Sequence, residues 1–146
     1  MPLRGDIVKA ILECLAFELR GNLDYWTAAG IDVRELRAVG GGTKSPRWLQ
    51  IRADVMGRPV TTLKVREAAC LGAAILAGKA AGLYSSLDEG VAATVQLGQI
   101  YEPAADRLRS YEARYAVYRD LYPSLKGVND RLSALQGTLP SAIVRK

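Results

Sequence analysis

The sequence predicts an α/β domain rich in helix and poor in strand. Three observations carry this. Apolar residues recur four apart through the first twenty positions. Two short β-type runs, Glu35–Val39 and Pro59–Leu63, each lead into a helical stretch. A tyrosine-marked helical pattern then occupies the C-terminal third. Alternation of short strands with helices is the signature of α/β architecture.

In the first segment Ile7, Ile11, Leu15 and Leu19 form the stripe, widened by Val8 and Leu12. They predict a helix from about Asp6 to Arg20, or on to Trp26, with Asp6 as N-cap and Gly21 and Gly30 as stop signals. In Glu35–Val39, Leu36 and Ala38 alternate with Arg37 and Val39, as in a buried strand ending at Gly40-Gly41-Gly42. Ser45-Pro46 reads as an N-cap followed by proline at the first helical position. That helix carries Trp48, Leu49, Ile51, Ala53, Val55 and Met56 and ends at Gly57. Pro59–Leu63 is the second strand. Residues 66–83 form a helix apolar almost all round, which predicts a central, covered position. Ser86 and Glu89 make a capping box for a short helix over Leu87–Val95. Tyr101-Glu102-Pro103 is an extended entry to a long helix from Ala104 to Tyr122, stopped by Pro123. Val128–Leu135 adds one or two further turns, and residues 137–146 read as a loose tail after a domain of residues 1–136.

Two strands are few for so many helices. Either strands are hidden in the pattern, or more of the domain lies upstream of this chain.

Composition bounds the chemistry. The 146 residues carry a formal net charge of +5 and no histidine. A mild positive excess with no basic, aromatic-interleaved stretch argues against nucleic-acid binding. The missing histidines remove the commonest general base and any histidine-based metal site. Cys14 and Cys70 lie in apolar helical patterns and read as buried thiols rather than a disulfide or metal pair. The longest apolar run, Ala68–Gly78, is too short to span a bilayer, and the N-terminus has no secretory signal pattern, so a cytoplasmic location is expected.

The most informative stretch is the turn from the first strand into the second helix, Gly40-Gly41-Gly42-Thr43-Lys44-Ser45. Glycine permits sharp turns and lets a ligand approach the backbone. The helix that follows offers unpaired N–H groups and a partial positive charge, with Lys44 and Arg47 nearby. The stretch is neither a P-loop nor a dinucleotide fingerprint, since neither spacing is met. By itself such a turn is structural more often than it is a phosphate or nucleoside site. Other features have plainer readings. Arg4-Gly5-Asp6 is a helix start rather than an adhesion motif. Glu13 and Glu18 are five apart and do not share a face well, so salt bridges or solvent exposure suit them better than a catalytic pair. The stripe Tyr111, Tyr115, Tyr118 is core packing with hydroxyls at its rim.

The order of segments adds a resemblance. Residues 39–60, from Val39-Gly-Gly-Gly-Thr-Lys-Ser-Pro to Gly-Arg-Pro-Val60, resemble the adenosine-binding segment of FGGY carbohydrate kinases. Residues 4–20 resemble the helix before it, residues 66–78 the helix after it, and residues 111–125 the C-terminal helix of the xylulokinase branch. The resemblance covers about residues 3–135. It implies a partial ribonuclease-H-like, actin-like ATPase domain on the nucleotide side of a kinase that uses ATP with Mg²⁺ to phosphorylate a sugar, a xylulose-like ketose being favoured. It implies that Gly41, Gly42 and Thr43 meet the nucleotide through backbone, that Ser45 caps the helix, and that Lys44 and Pro46 lie along the adenosine. The family's first phosphate loop and its catalytic aspartate have no counterpart in this sequence. The expectation is therefore no catalytic residue and no metal ligand in this chain, with sugar contacts from an N-terminal half and no activity for the chain alone. The rival readings are a non-catalytic nucleotide-binding or interaction module derived from such a kinase, and a purely structural domain. Exposed apolar surface on a partial domain also implies a homodimer or an N-terminal partner chain.

Overall fold

The computed structural model describes residues 3–136. Among the described residues five helices and three strands run in the order α1 (Arg4–Ala28), β1 (Leu36–Ala38), α2 (Pro46–Met56), β2 (Val60–Leu63), α3 (Ala68–Ala80), α4 (Leu87–Thr94), β3 (Leu97–Tyr101) and α5 (Ala105–Gln136). A 3₁₀ turn, Gly41–Lys44, joins β1 to α2. The chain divides into two compact units, residues 1–111 and 112–146. The predicted tail, residues 137–146, lies outside the described residues.

The first unit is built on a sheet of order β1-β2-β3. β1 and β2 are parallel, with Leu36 opposite Val60 and Ala38 opposite Thr62. β3 runs antiparallel to β2, with Val60 opposite Tyr101. The core gathers Leu23 of α1, Ala38 of β1, Leu49, Ala53 and Met56 of α2, Val60 of β2 and Tyr101 of β3. α2 is its centre because Leu49 and Ala53, four apart, are completely buried. Ser45 caps α2 as expected, its hydroxyl accepting the Trp48 N–H at 3.3 Å. Gly57 ends it with φ +61°. A methyl group there would also stand 3.1 Å from Leu108 Cδ1. We expect Gly57→Ala to cost about 1–2 kcal/mol, since the left-handed backbone and the contact both oppose a side chain. A urea denaturation midpoint unchanged from wild type would contradict this.

Several expectations need correction. Asp6 is not the N-cap of α1. Leu3 holds that position, and Asp6 sits three residues in, its carboxylate accepting the Leu3 N–H at 2.9 Å. Gly21 does not stop α1, which continues to Ala28; Gly30, with φ +82°, follows the true end. A third strand, β3, was hidden. It is short, contains Gly98, and is exposed except at Tyr101, so it lacks the alternation of a half-buried strand. α3 is not central, for Ile75 is its one buried residue and Leu76 is 60% exposed. The helix packs against short α4, where Gly78 and Gly90 both crowd Tyr84. Cys14 and Cys70 are exposed rather than buried.

In the second unit Pro123 lies inside α5 rather than at its end. Proline removes one N–H and one i→i−4 bond. Arg119, whose carbonyl loses that donor, is exposed, so water can satisfy it. Tyr115 and Tyr118 stack with ring centroids 6.5 Å apart.

Candidate nucleotide site at the glycine corner

Two parallel strands end side by side, and the chain leaves each at the same edge of the sheet. The Gly40 N–H donates to the Arg66 carbonyl at 3.0 Å, tying the turn after β1 to the segment after β2. The carboxyl ends of parallel strands are where α/β sheets hold ligands.

Gly40 has φ +80° and ψ −167°, a conformation essentially restricted to glycine. Its carbonyl accepts the Thr43 N–H at 3.1 Å and the Thr43 hydroxyl at 2.7 Å, closing the 3₁₀ turn. Thr43 is thus committed to the turn through its side chain. Gly41 is exposed, and a Cβ there would meet no atom within 4 Å. At Gly42 a Cβ would come 3.3 Å from Trp48 Nε1, so the corner rests on the buried Trp48 indole. Lys44 and Ser45 are exposed, and Ser45 spends its hydroxyl on the helix cap. The five predicted residues therefore form one continuous, open backbone surface leading into the N-terminus of α2.

Behind the corner lies a support that the sequence did not reveal. The Arg52 guanidinium covers the Trp48 ring at 4.5 Å. Burial holds the Arg52 pKa below its ordinary value, and its Nε is buried without a partner among the described residues. The two residues are four apart on α2, the one signal that could have paired them.

A groove of about 970 Å³ adjoins the first turn of α2 at Pro46 and Arg47. Its walls come from α1, α2 and the start of α5, and include Arg4, Lys9 and Arg107. Gly41–Ser45 are not on its wall, so the corner is an open surface beside the groove and not its floor. Arg47, expected beside the corner, lines the groove. Asp54, 1% exposed, was also missed. Its Oδ1 accepts the Gln50 amide and the Ala104 N–H, each at 2.9 Å, and its Oδ2 meets Arg107 at 3.2 Å. It fixes the start of α5 to α2. Glu13 pairs with Lys9 at 3.5 Å and accepts the Tyr111 hydroxyl at 2.7 Å. Among the described residues no group of three or more cysteine or acidic side chains is placed to hold a metal ion.

Residues 3–81 match the C-terminal domain of the FGGY family of carbohydrate kinases. The chain belongs to that family. It is 30% identical over 123 residues to the xylulose kinase of Staphylococcus epidermidis, a match covering 84% of this chain and 25% of the relative. The solved xylulose kinase of Rhodospirillum rubrum superposes with a TM-score of 0.74 at 29% identity, over 87% of this chain and 26% of that one. The Plasmodium falciparum glycerol kinase solved with ADP superposes at 0.65 and 29% identity, over 82% of this chain and 25% of that one. The fold is part of the actin-like ATPase fold of these FGGY kinases. The chain spans about a quarter of the length of the relatives it matches. Among the described residues no helix is long and apolar enough to cross a membrane.

Proposed function

We propose that this chain is the nucleotide-side lobe of a cytoplasmic, ATP-dependent sugar kinase, with Gly41, Gly42, Thr43, Lys44 and Ser45 holding the adenosine of ATP or ADP. The observation that carries the reading is the bare backbone at Gly41, facing open space at the carboxyl ends of β1 and β2. A nucleoside can lie on such a surface, and the N-terminal end of α2, with the Arg47 side chain on its first turn, favours an anion beside it. In the complete kinase ATP supplies the phosphoryl group and Mg²⁺ its charge neutralisation. The described residues offer the metal no ligand cluster, and no step is assigned to it in this chain.

Phosphoryl transfer needs the nucleotide, the metal and a positioned base together. The resemblance gives this chain the first alone, so the catalytic aspartate and the sugar contacts would come from an N-terminal half. The relatives include xylulose, glycerol and ribulose kinases. A xylulose-like ketose is favoured by the xylulose kinases among the closely similar sequences and structures.

Calorimetric titration of the purified chain with ADP should show saturable binding, while a coupled ADP-release assay with D-xylulose should stay at background. Absence of any ADP binding would sink the nucleotide assignment, and sustained turnover would sink the assignment of a single lobe. Adding a separately produced N-terminal half distinguishes this lobe from a non-catalytic module: activity should appear with the first and not with the second.

A further inference from the structure

The indole of Trp48 carries an N–H that the chain itself does not use. Trp48 is 8% exposed. Among the described residues its Nε1–H has no acceptor. Buried indole N–H groups normally find one. Nε1 is not sealed off, because the one sealed side-chain nitrogen without a partner among the described residues is Arg52 Nε. The N–H therefore reaches the surface from a ring that is otherwise covered.

Gly42 fixes where it does so. A Cβ on Gly42 would stand 3.3 Å from Trp48 Nε1 and 3.5 Å from Cδ1, and would meet nothing else within 4 Å. Gly42 is exposed and its φ is not positive, so the backbone alone does not call for glycine there. The missing side chain leaves the space over the N–H open. Nearby carbonyls are in use: that of Gly40 accepts the Thr43 N–H and hydroxyl, and that of Gly42 accepts the Ser45 N–H. The Arg52 guanidinium, 4.5 Å from the ring centroid, holds the indole in place. A donor fixed before its ligand arrives loses little entropy on binding.

We propose that the Trp48 Nε1–H donates a hydrogen bond to the nucleoside at the corner, through the gap that Gly42 leaves. Its acceptor is a ribose oxygen or a ring nitrogen of the adenine. An indole N–H only donates, so Trp48 selects a ligand with an acceptor at that point and penalises one with a C–H or N–H there. This role rests on the reading of Gly41–Ser45 as an adenosine site. It adds to that backbone surface a side chain that discriminates among nucleosides.

Two measurements on the full chain test it. In a proton–nitrogen correlation spectrum Trp26 and Trp48 give the two indole signals, and Trp26→Phe identifies the one from Trp48. ADP should move the Trp48 indole proton and slow its exchange with water. This needs no change at Trp48, so it decides even where Trp48→Phe does not fold. Calorimetry then compares ADP with analogues that each lack one ribose hydroxyl or one ring nitrogen, on wild type and on Trp48→Phe. Trp48→Phe should weaken ADP about fivefold, the size of one neutral hydrogen bond. One analogue should lose as much on wild type and nothing further on the variant. A tryptophan that only props the corner would weaken every ligand alike. That result, or an indole proton unmoved by bound ADP, would overturn the proposal and leave the nucleotide site standing. No ADP binding to wild type would overturn both.

Discussion

Asp54→Ala is expected to lower the stability of the first unit by about 3 kcal/mol, the cost of stripping a buried carboxylate from three donors. Asp54 is 1% exposed, and each of its oxygens is in use. Alanine would leave the Ala104 N–H without its acceptor at the start of α5. It would free the Gln50 amide from one of its two acceptors, the other being the Glu102 carbonyl at 2.8 Å. Arg107, 55% exposed, can turn to water, so the ion pair adds less than a fully buried one would. Asp54→Asn keeps an oxygen for Gln50 and Ala104 and gives up the charge, so its loss should be about half as large. Both tryptophans, Trp26 and Trp48, lie in the first unit, and urea unfolding followed by their fluorescence reads the difference directly. A wild-type midpoint for Asp54→Ala would mean that the carboxylate does not hold the start of α5, at Ala104 and Arg107, to α2.

The local signals around α2 predicted its bounds, whereas Asp6, Gly21 and Pro123 did not mark the ends of their helices. Ser45, Pro46 and Gly57 bracket α2 because a cap, a fixed φ and a left-handed stop act within one turn of their own position. Signals whose meaning depends on distant residues failed. Asp54 sits between buried Ala53 and Val55, and nothing in its neighbourhood along the chain names its partners. Its partner Ala104 is fifty residues away, beyond any periodicity. The burial of α3 was overestimated for the same reason: apolar composition records what a helix can bury, not what reaches it. Pro123 does not end α5, because the residues around it are exposed and water can replace the lost bond. At the candidate site the glycine corner was legible as a turn before a helix. The indole beneath it and the guanidinium over that indole were not, because nothing in the spacing says which side of α2 faces the corner.

Gly41→Val offers the sharpest separation of fold from ligand. Gly41 lies in the 3₁₀ turn with negative φ, and no atom stands within 4 Å of the Cβ it lacks. Valine should therefore fit the free protein, changing its stability by no more than about 0.5 kcal/mol, as for surface substitutions away from special features. If a nucleoside rests on this backbone, the new methyl groups occupy its place, and ADP affinity should fall at least about tenfold, or about 1.4 kcal/mol. Gly42→Val would be a poorer probe, because its Cβ meets Trp48 Nε1 at 3.3 Å and would disturb the support together with the surface. Thr43→Ala would loosen the turn by removing the bond to the Gly40 carbonyl, confounding the two effects in the same way. Calorimetry with ADP and urea unfolding on the one Gly41→Val protein separate the possibilities. Intact folding with lost binding assigns the exposed backbone to the nucleotide. Intact folding with wild-type affinity moves the nucleotide elsewhere and leaves the corner a purely structural turn.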